Sequence, residues 1–273
     1  MNKVDKCSVC NSQRDFSFGE TVLNKYHVSY YSCATCGLLQ TEEPYWLDES
    51  YNEPIAITDT GLVQRNISLA NKLASALYFG LDIKGKCLDI AGGYGMLVRL
   101  MRDFGFDFYW DDKYCSNIFA KGFEVTKSEN RFEAITAFEV MEHLRDPVAF
   151  VKDSMEIYGT KTLIFSTQVY DEGPPPARDW WYYSFESGQH ISFYTYKTLK
   201  CIADKLGLNF FSAGGLLFFT DKKNKPLQFL LVREKLALPL ALYIRWRKGT
   251  RVIDDHYSMV NKLKAKIQNF NSN

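Results

Sequence analysis

A short apolar segment, a glycine-rich turn and an amphipathic segment follow one another at residues 86–103, and no other feature limits the possible folds as strongly. The apolar run at 86–91 fits a buried parallel strand, and residues 96–103 have the spacing of a helix. Between them, Gly93 and Gly95 let a ligand lie against the main chain, because neither residue carries a Cβ. A strand, a glycine turn and a helix in this order place main-chain N–H groups beside a nucleotide-like ligand. The sequence therefore predicts an α/β fold with a ligand site at this turn.

Further apolar runs that fit strands lie at residues 106–112, 132–138 and 162–167. The first of them ends in Asp112, about 20 residues after the glycine turn, where a carboxylate can accept both hydroxyls of a ribose. A polar turn at residues 221–226 separates two further runs, 208–220 and 227–233, and this pattern predicts a closing hairpin.

The segment from Leu88 to Gly95 resembles motif I of class I S-adenosylmethionine methyltransferases, with Ala91 where that family usually has its first glycine. Residues 137–147 are similar to the family's segment after the fourth strand. Residues 179–194 resemble a bacterial subgroup that modifies sugars and cell-surface polysaccharides. The resemblance spans residues 7–220, and it implies a doubly wound, mostly parallel seven-stranded sheet and S-adenosylmethionine as the cofactor.

The same resemblance assigns the cofactor-binding residues, which are Asp89, Ala91, Gly93 and Gly95 around the methionine moiety, Asp112 at the ribose, and Phe138 and Glu139 on the far side. A carboxylate at Asp89 suits this ligand physically, because the sulfonium is a cation. An alternative role for Asp89 is to satisfy the backbone of the glycine turn, and the two roles are compatible.

Two Cys-x2-Cys pairs, separated by 22 residues, are formed by Cys7, Cys10, Cys33 and Cys36. Two such pairs brought together supply the four sulfurs of a closed, structural Zn²⁺ site, and Gly37 permits the second turn. The paired cysteines also resemble the zinc-binding domain that precedes the methyltransferase fold in deoxysugar C-methyltransferases. The alternative is four unrelated buried thiols. His27, between the pairs, is interpreted as a surface residue rather than a ligand.

The acceptor site is expected near a long loop at residues 168–189, which carries three prolines and four adjacent aromatic residues. His190 follows this loop and is the leading candidate for a general base, the alternative being a structural histidine. The similar sugar C-methyltransferases have a glutamate before the histidine, whereas this chain has Gln189, which can orient a base but cannot act as one. Glu142 and His143 are rival candidates, although a helix N-terminal turn also favours such residues for local hydrogen bonding.

Charge is unevenly distributed along the chain. The formal net charge is +1, but residues 221–273 hold 12 Lys or Arg against 4 Asp or Glu, a net of +8. Such a tail can meet nucleic-acid phosphates or an anionic membrane surface, and we favour the simpler interpretation of solvated helix faces. Arg65 is a candidate partner for a substrate phosphate, with a surface salt bridge as the equal alternative.

The predicted organisation is a zinc-binding module at 1–45, a helical connector at 46–84, the methyltransferase domain at 85–234 and a helical basic tail at 235–273. The N-terminus lacks the apolar core of a secretory signal, so a cytoplasmic location is expected. The leading hypothesis is methylation of a small molecule, a sugar or nucleotide-linked sugar. Two alternatives stay open: an RNA methyltransferase that uses the module and tail, and a non-catalytic zinc-binding scaffold.

Overall fold

The structure of the protein is a computed structural model, and it describes residues 6–51, 59–126, 131–223 and 226–271. The chain forms two compact units, each built from two separate segments. The first unit comprises residues 1–60 and 135–224, and the second comprises residues 61–134 and 225–273.

Within the described stretches the strands are β1 (Asp15–Val22), β2 (Tyr26–Ser32), β3 (Leu39–Thr41), β4 (Cys87–Ile90), β5 (Phe108–Asp111), β6 (Ala134–Phe138), β7 (Thr162–Ser166), β8 (Val169–Tyr170), β9 (Ser192–Thr195), β10 (Asn209–Ala213) and β11 (Leu216–Thr220). The α-helices are α1 (Leu47–Ser50), α2 (Leu62–Ser75), α3 (Met96–Asp103), α4 (Pro147–Ile157), α5 (Tyr196–Leu206), α6 (Pro226–Phe229), α7 (Glu234–Lys248) and α8 (Val252–Asn271). A π-helical turn at Ala76–Gly80 continues α2, and short 3₁₀ turns occupy Met141–His143, Trp181–Tyr183 and Leu230–Val232.

A five-stranded sheet in the first unit has the order β1-β2-β3-β9-β8. The strands β1, β2, β3 and β9 pair antiparallel, and β8 runs parallel to β9. One face packs on an aromatic core that includes Phe18, Tyr30, Trp46, Tyr183 and Phe193. The strand β9, from a later segment of the chain, pairs with β3 and so completes the sheet begun by the strands of the predicted zinc-binding module.

Four further strands of the first unit lie in the order β10-β11-β7-β6. The strands β6 and β7 are parallel, whereas β11 runs antiparallel to both β7 and β10. The second unit contains the parallel pair β4 and β5, which starts with Cys87 opposite Phe108. Together these are six described strands, one fewer than the seven that were expected, in a mixed α/β architecture of the predicted type.

The closing hairpin differs from the prediction. It lies wholly within the first predicted run, as β10 and β11, and its turn is Gly214–Gly215 with φ values of 59° and 84°. A two-residue hairpin turn with both φ values positive favours glycine at both positions, and this signal in the sequence was missed. The predicted second strand at 227–233 is wrong: the described residues there form α6 and a 3₁₀ turn, and Pro226 begins the helix. Residues 224 and 225 of the predicted turn lie outside the described stretches.

The second unit is mostly helical outside its parallel strand pair. Glu234, the first residue of α7, forms an ion pair with Lys72 and accepts a hydrogen bond from Ser68, both on α2. Two long helices, α7 and α8, occupy the C-terminal segment, where the sequence predicts a helical tail. None of the described helices combines the length and the apolar character that a membrane crossing requires.

Candidate functional site

The four cysteines of the two Cys-x2-Cys pairs lie together in the first unit. The Sγ atoms of Cys7 and Cys36 are 3.5 Å apart, those of Cys10 and Cys33 are 3.4 Å apart, and all four lie within 4.8 Å of one another. A tetrahedral zinc site with bonds of about 2.3 Å requires sulfurs separated by about 3.8 Å, so the donor set fits this ion. The prediction that these four residues converge is confirmed by the cluster.

Both cysteine pairs sit in the same kind of turn. Asn11 N–H donates to Cys7 O at 2.9 Å, and Gly37 N–H donates to Cys33 O at 2.8 Å. Asn11 and Gly37 each follow the second cysteine of a pair, and their φ values are 63° and 80°. Glycine and asparagine tolerate this left-handed conformation best, which is why the sequence folds locally into two knuckles.

Hydrogen bonds from later in the chain hold the second knuckle. Thr198 Oγ1 donates to Cys36 O at 2.8 Å, and the Tyr170 hydroxyl donates to Gly37 O at 2.5 Å. The neighbouring Cys36 thiol lowers the pKa of Cys7 to about 5, whereas burial raises the pKa of Cys33. The same contact raises the pKa of Cys36, as one thiol donates to the other.

In the second unit, the glycine turn follows β4 as predicted. Ala91, Gly93 and Gly95 all have positive φ values, of 56°, 54° and 84°. Ala91, which stands where motif I usually has its first glycine, therefore has a left-handed backbone conformation. Glycine adopts this conformation without strain, which is the physical reason for a glycine at this position. The donors of the turn are satisfied internally, since Gly92 N–H donates to Asp111 O and Gly95 N–H to Gly92 O. The sequence led us to expect main-chain N–H groups open to a ligand in this turn. The N–H groups of Gly92 and Gly95 are instead bonded within the protein.

Asp112 closes the turn through its carboxylate. Its Oδ2 accepts from Gly93 N–H at 2.8 Å, and its Oδ1 accepts from the N–H groups of Tyr114 and Cys115, both at 2.7 Å. A carboxylate has about four acceptor positions, so three bonds leave room for roughly one more. The turn and the carboxylate therefore meet, as the sequence indicates.

The glycines of this turn have different surroundings. A Cβ on Gly93 would meet nothing within 4 Å, whereas a Cβ on Gly95 would lie 2.6 Å from Asn117 Oδ1. Gly95 is thus required by packing, and Gly93 borders open space. Asp89 is 3% exposed, and its Oδ2 would lie 3.0 Å from a Cβ on Gly92. The open face of the turn is therefore at Gly93 and the exposed Ala91.

Phe138 and Glu139, predicted on the far side of the cofactor, belong to the first unit at the end of β6. Glu139 has a φ of 55°, and its Oε1 accepts from the Ser166 hydroxyl at 2.5 Å. The Glu139 N–H donates to the same hydroxyl at 3.1 Å. These two bonds fix Glu139 against the end of β7.

The four candidate catalytic residues, Gln189, His190, Glu142 and His143, share one neighbourhood in the first unit. The rings of His143 and His190 lie 5.0 Å apart between centroids, and the Ile191 N–H donates to Glu142 O at 2.8 Å. Burial and the charge of His190 lower the pKa of His143 to about 4, so this imidazole is neutral at pH 7. Residues that appeared to be rivals in the sequence are thus parts of one cluster.

Gln189 is turned away from this chemistry. Its Nε2 donates to Ser50 O at 2.8 Å, and only 9% of the residue is exposed. Its main-chain oxygen, by contrast, lies 3.0 Å from His143 Nδ1. The contribution of Gln189 to the cluster is therefore its backbone carbonyl.

Tyr182 links the aromatic loop to the cluster. Its hydroxyl donates to Glu142 Oε1 at 2.7 Å, and its carbonyl oxygen lies 2.7 Å from His190 Nδ1. Burial, with the charge of Glu142, raises the pKa of Tyr182 well above its ordinary value, so the phenol stays protonated. Sequence reasoning placed this residue only in an aromatic wall, and nothing in the sequence pattern indicated its contacts with Glu142 and His190.

The other loop aromatics differ in exposure. Tyr183 is buried and donates to Pro176 O at 2.9 Å, whereas Trp181 is 73% exposed. Of these two residues, only Trp181 offers a ring face to a ligand.

Arg65, the candidate phosphate partner, lies on α2 in the second unit and is half-buried.

Comparison with known proteins identifies a family for the central part of the chain. The family model described as a methyltransferase domain matches residues 64–213, more than half of the 273 residues. Among curated protein sequences, none matches the chain.

Several solved structures of methyltransferases are similar to parts of the chain. TnmH is 16% identical over 64% of this chain and 60% of its own, with a TM-score of 0.43. The plantazolicin methyltransferase BpumL in complex with SAH is 10% identical; the match covers 73% of this chain and 89% of BpumL, with a TM-score of 0.46. The small RNA methyltransferase HEN1 is 15% identical; the match covers 63% of this chain and 27% of HEN1, with a TM-score of 0.39. This chain thus spans less than two thirds of TnmH and of HEN1, and similarities this distant say nothing about what it acts on.

Proposed function

Since the chain belongs to the methyltransferase-domain family, we propose that it transfers a methyl group from S-adenosylmethionine to a small molecule, a sugar or a nucleotide-linked sugar. The observation that carries the cofactor assignment is the left-handed turn after β4, closed by Asp112 and open at Gly93. S-adenosylmethionine supplies the methyl group on a cationic sulfur. Asp89 is the penultimate residue of β4, just before the turn, and its side chain is buried. A carboxylate at this place favours a nearby cation electrostatically.

On the acceptor side, the proposed base is His190. Its Nδ1 faces the carbonyl of Tyr182, so Nε2 is the ring nitrogen left to take a proton. Nε2 would accept the proton that the acceptor atom loses on methylation. Bound S-adenosylmethionine would supply the methyl group, and its sulfur would keep the electron pair of the carbon–sulfur bond. The exposed ring of Trp181 supports a sugar acceptor, because an aromatic face packs well against the apolar face of a sugar.

We also propose that the four-cysteine cluster binds a structural Zn²⁺. The supporting observations are the sulfur–sulfur distances of 3.4 and 3.5 Å and the two matching knuckles. Four protein sulfurs complete a tetrahedron and leave no position for substrate, so the ion would stabilise the fold of the first unit rather than take part in chemistry.

The cofactor proposal is tested by calorimetric titration of S-adenosylhomocysteine into the wild-type chain and the G93A variant. The added methyl enters the open space at the turn, so the Kd should rise at least about tenfold, which corresponds to about 1.4 kcal/mol. The matched control is G207A, because Gly207 also has a left-handed φ, of 67°, and open space around its Cβ position. Equal effects of the two variants, or no binding by the wild type, would contradict the cofactor site.

The acceptor proposal is tested by measuring methyl transfer from labelled S-adenosylmethionine to a panel of nucleotide sugars, at low and high salt. Turnover that survives high salt supports a small-molecule acceptor. Retention and methylation of RNA that fall steeply with salt would support the RNA alternative instead. No binding of S-adenosylmethionine at millimolar concentration would favour the scaffold hypothesis, whose cofactor pocket is degenerate.

A further inference from the structure

Three side chains of metal-binding type converge in the first unit, outside the cysteine cluster. Glu142, His143 and His190 each offer one ligand atom, and these atoms lie within 4.8 Å of one another. Glu142 and His143 are adjacent on a 3₁₀ turn after β6, whereas His190 lies 47 residues after His143, just before β9. Two separate parts of the chain therefore supply the group.

Each histidine is oriented by a carbonyl. His143 Nδ1 lies 3.0 Å from Gln189 O, and His190 Nδ1 lies 2.7 Å from Tyr182 O. A carbonyl oxygen only accepts, so both Nδ1 atoms must carry the hydrogen. The ring nitrogen left to act as a ligand is then Nε2 in each histidine. A backbone carbonyl that fixes the tautomer in this way is the usual partner of a metal-bound histidine.

The two carboxylate oxygens of Glu142 differ in their contacts. Its Oε1 accepts from the Tyr182 hydroxyl at 2.7 Å, whereas its buried Oε2 has no hydrogen-bond partner among the residues that the structure describes. The residue is 0% exposed, so bulk water does not reach this oxygen. A buried carboxylate oxygen left unpaired is costly, and this cost is removed if a cation binds there.

From these contacts we infer that Glu142, His143 and His190 bind a divalent transition-metal cation through Oε2 and the two Nε2 atoms. Two imidazoles and one carboxylate are a ligand set that suits zinc and iron, and three protein ligands leave coordination positions open. The site differs in this respect from the cysteine cluster, whose four ligands close it. The hydrogen-bond partners, Tyr182 and two main-chain carbonyls, are already in place around it.

The role of this cation rests on the proposed methyl transfer, but the site itself does not. An open position would take a hydroxyl oxygen of the acceptor and lower the pKa of that hydroxyl, as bound divalent cations do for water. With the cation bound, Nε2 of His190 is a ligand and the proton would pass to solvent; the base role proposed above for His190 applies to the protein without the cation. A bound cation would therefore favour an oxygen as the acceptor atom.

The test is equilibrium dialysis of the full chain against Co²⁺, followed by elemental analysis and absorption spectroscopy. Co²⁺ bound by thiolates shows sulfur-to-metal charge-transfer absorption, which an imidazole and carboxylate site lacks. The wild type is expected to bind two Co²⁺ per chain, one of them without this absorption. A single sulfur-bound Co²⁺ per chain would overturn the inference.

Three variants remove one ligand atom each and keep its hydrogen-bond partner: E142Q, H143N and H190N. The amide oxygen of glutamine still accepts from Tyr182, and the amide nitrogen of asparagine can replace Nδ1 as the donor to the carbonyl. Loss of a partner outside the ligand sphere weakens metal binding about 10- to 100-fold, so loss of a ligand should weaken it by at least 100-fold. Matched controls are H27N and H256N, since His27 and His256 are exposed.

The outcomes are distinct for each proposal. Loss of the second Co²⁺ in the three variants, with the sulfur-bound Co²⁺ retained, supports the site. Unchanged binding in the variants, or equal loss in the two controls, would overturn it. If the second Co²⁺ binds as expected but methyl transfer does not respond to metal removal, the site stands and only its role in acceptor activation fails.

Discussion

A buried ion pair anchors the last helix of the second unit, and its removal provides the sharpest test of how this unit is stabilised. Arg102 on α3 donates from Nε and Nη2 to the two carboxylate oxygens of Asp255 on α8, at 2.8 and 2.7 Å. The two residues are 2% and 5% exposed. The same guanidinium donates from Nη1 to Asp107 at 2.9 Å and to Phe108 O at 2.7 Å, so all its nitrogens are engaged.

The expected effect of the D255N variant follows from this geometry. Removing one partner of a buried pair costs about 3–5 kcal/mol, because the other charge remains buried. Asp107 still compensates part of the Arg102 charge, and asparagine keeps one acceptor oxygen. We therefore expect the lower end, about 3 kcal/mol in the free energy of unfolding. For a chain of this size the melting temperature should fall by roughly 6–12 °C.

The assay is urea unfolding at pH 7, followed by near-ultraviolet circular dichroism, with D254N as the matched control. Asp254 precedes Asp255 on the same helix and is exposed, so its variant makes the same change of charge without breaking the pair. If D255N loses no more stability than D254N, the pair does not anchor α8 and the reasoning is refuted. The double variant R102M/D255L should recover most of the loss, because an apolar pair leaves no buried charge.

The contribution of this pair should also depend on pH in a defined direction. Burial raises the pKa of Asp255, but the hydrogen bonds and positive charges of Arg102 and Arg99 lower it by more. The pKa of Asp255 therefore lies below its usual value of 3.8. A carboxyl whose folded-state pKa is depressed stabilises the fold above its unfolded pKa and loses that contribution as pH falls through the folded value. The difference between the wild type and D255N should therefore be constant above about pH 4 and shrink below it.

Three further variants or treatments test other parts of the structure. A91G should stabilise the chain by about 1 kcal/mol in urea unfolding, because a non-glycine residue with a φ of 56° is strained; no change in midpoint would contradict this. G95A should destabilise it by about 2–4 kcal/mol, since a Cβ would lie 2.6 Å from Asn117 Oδ1 in a left-handed backbone; wild-type stability would show that the loop at 117–120 yields freely. Zinc removal by a strong chelator should lower the melting temperature of the wild type but not that of C10S, which should already be low; an unchanged wild type would argue against a structural ion.

The sequence predicted the elements whose signals are local. The strand at β4, the glycine turn and α3 follow within 17 residues and were predicted within one residue of their observed bounds. Such a signal depends on hydrophobic periodicity and on glycine at left-handed positions, which neighbouring residues largely decide. The convergence of the two cysteine pairs was also predictable, because regular spacing with a known ligand geometry implies a shared ion.

The hairpin shows how a local signal was overlooked. Gly214 and Gly215 mark the turn between β10 and β11, but the longer polar segment at 221–226 was preferred as the turn. The apolar run after it was then taken as a strand, although Pro226 favours the first turn of a helix. A short apolar run does not distinguish a buried strand from a helix by periodicity alone.

Only the tertiary structure decided which residues form the candidate acceptor and cation site. Glu142, His143 and His190 were separate candidates in the sequence, and the pairing of β3 with β9 and the path of the aromatic loop bring them together with Tyr182. The sequence determined which local elements form and which residue types are present. It did not determine which nitrogen of each histidine faces a carbonyl, or that Glu142 Oε2 has no partner among the described residues. These depend on contacts between residues 8, 40 and 46 positions apart, which periodicity does not encode.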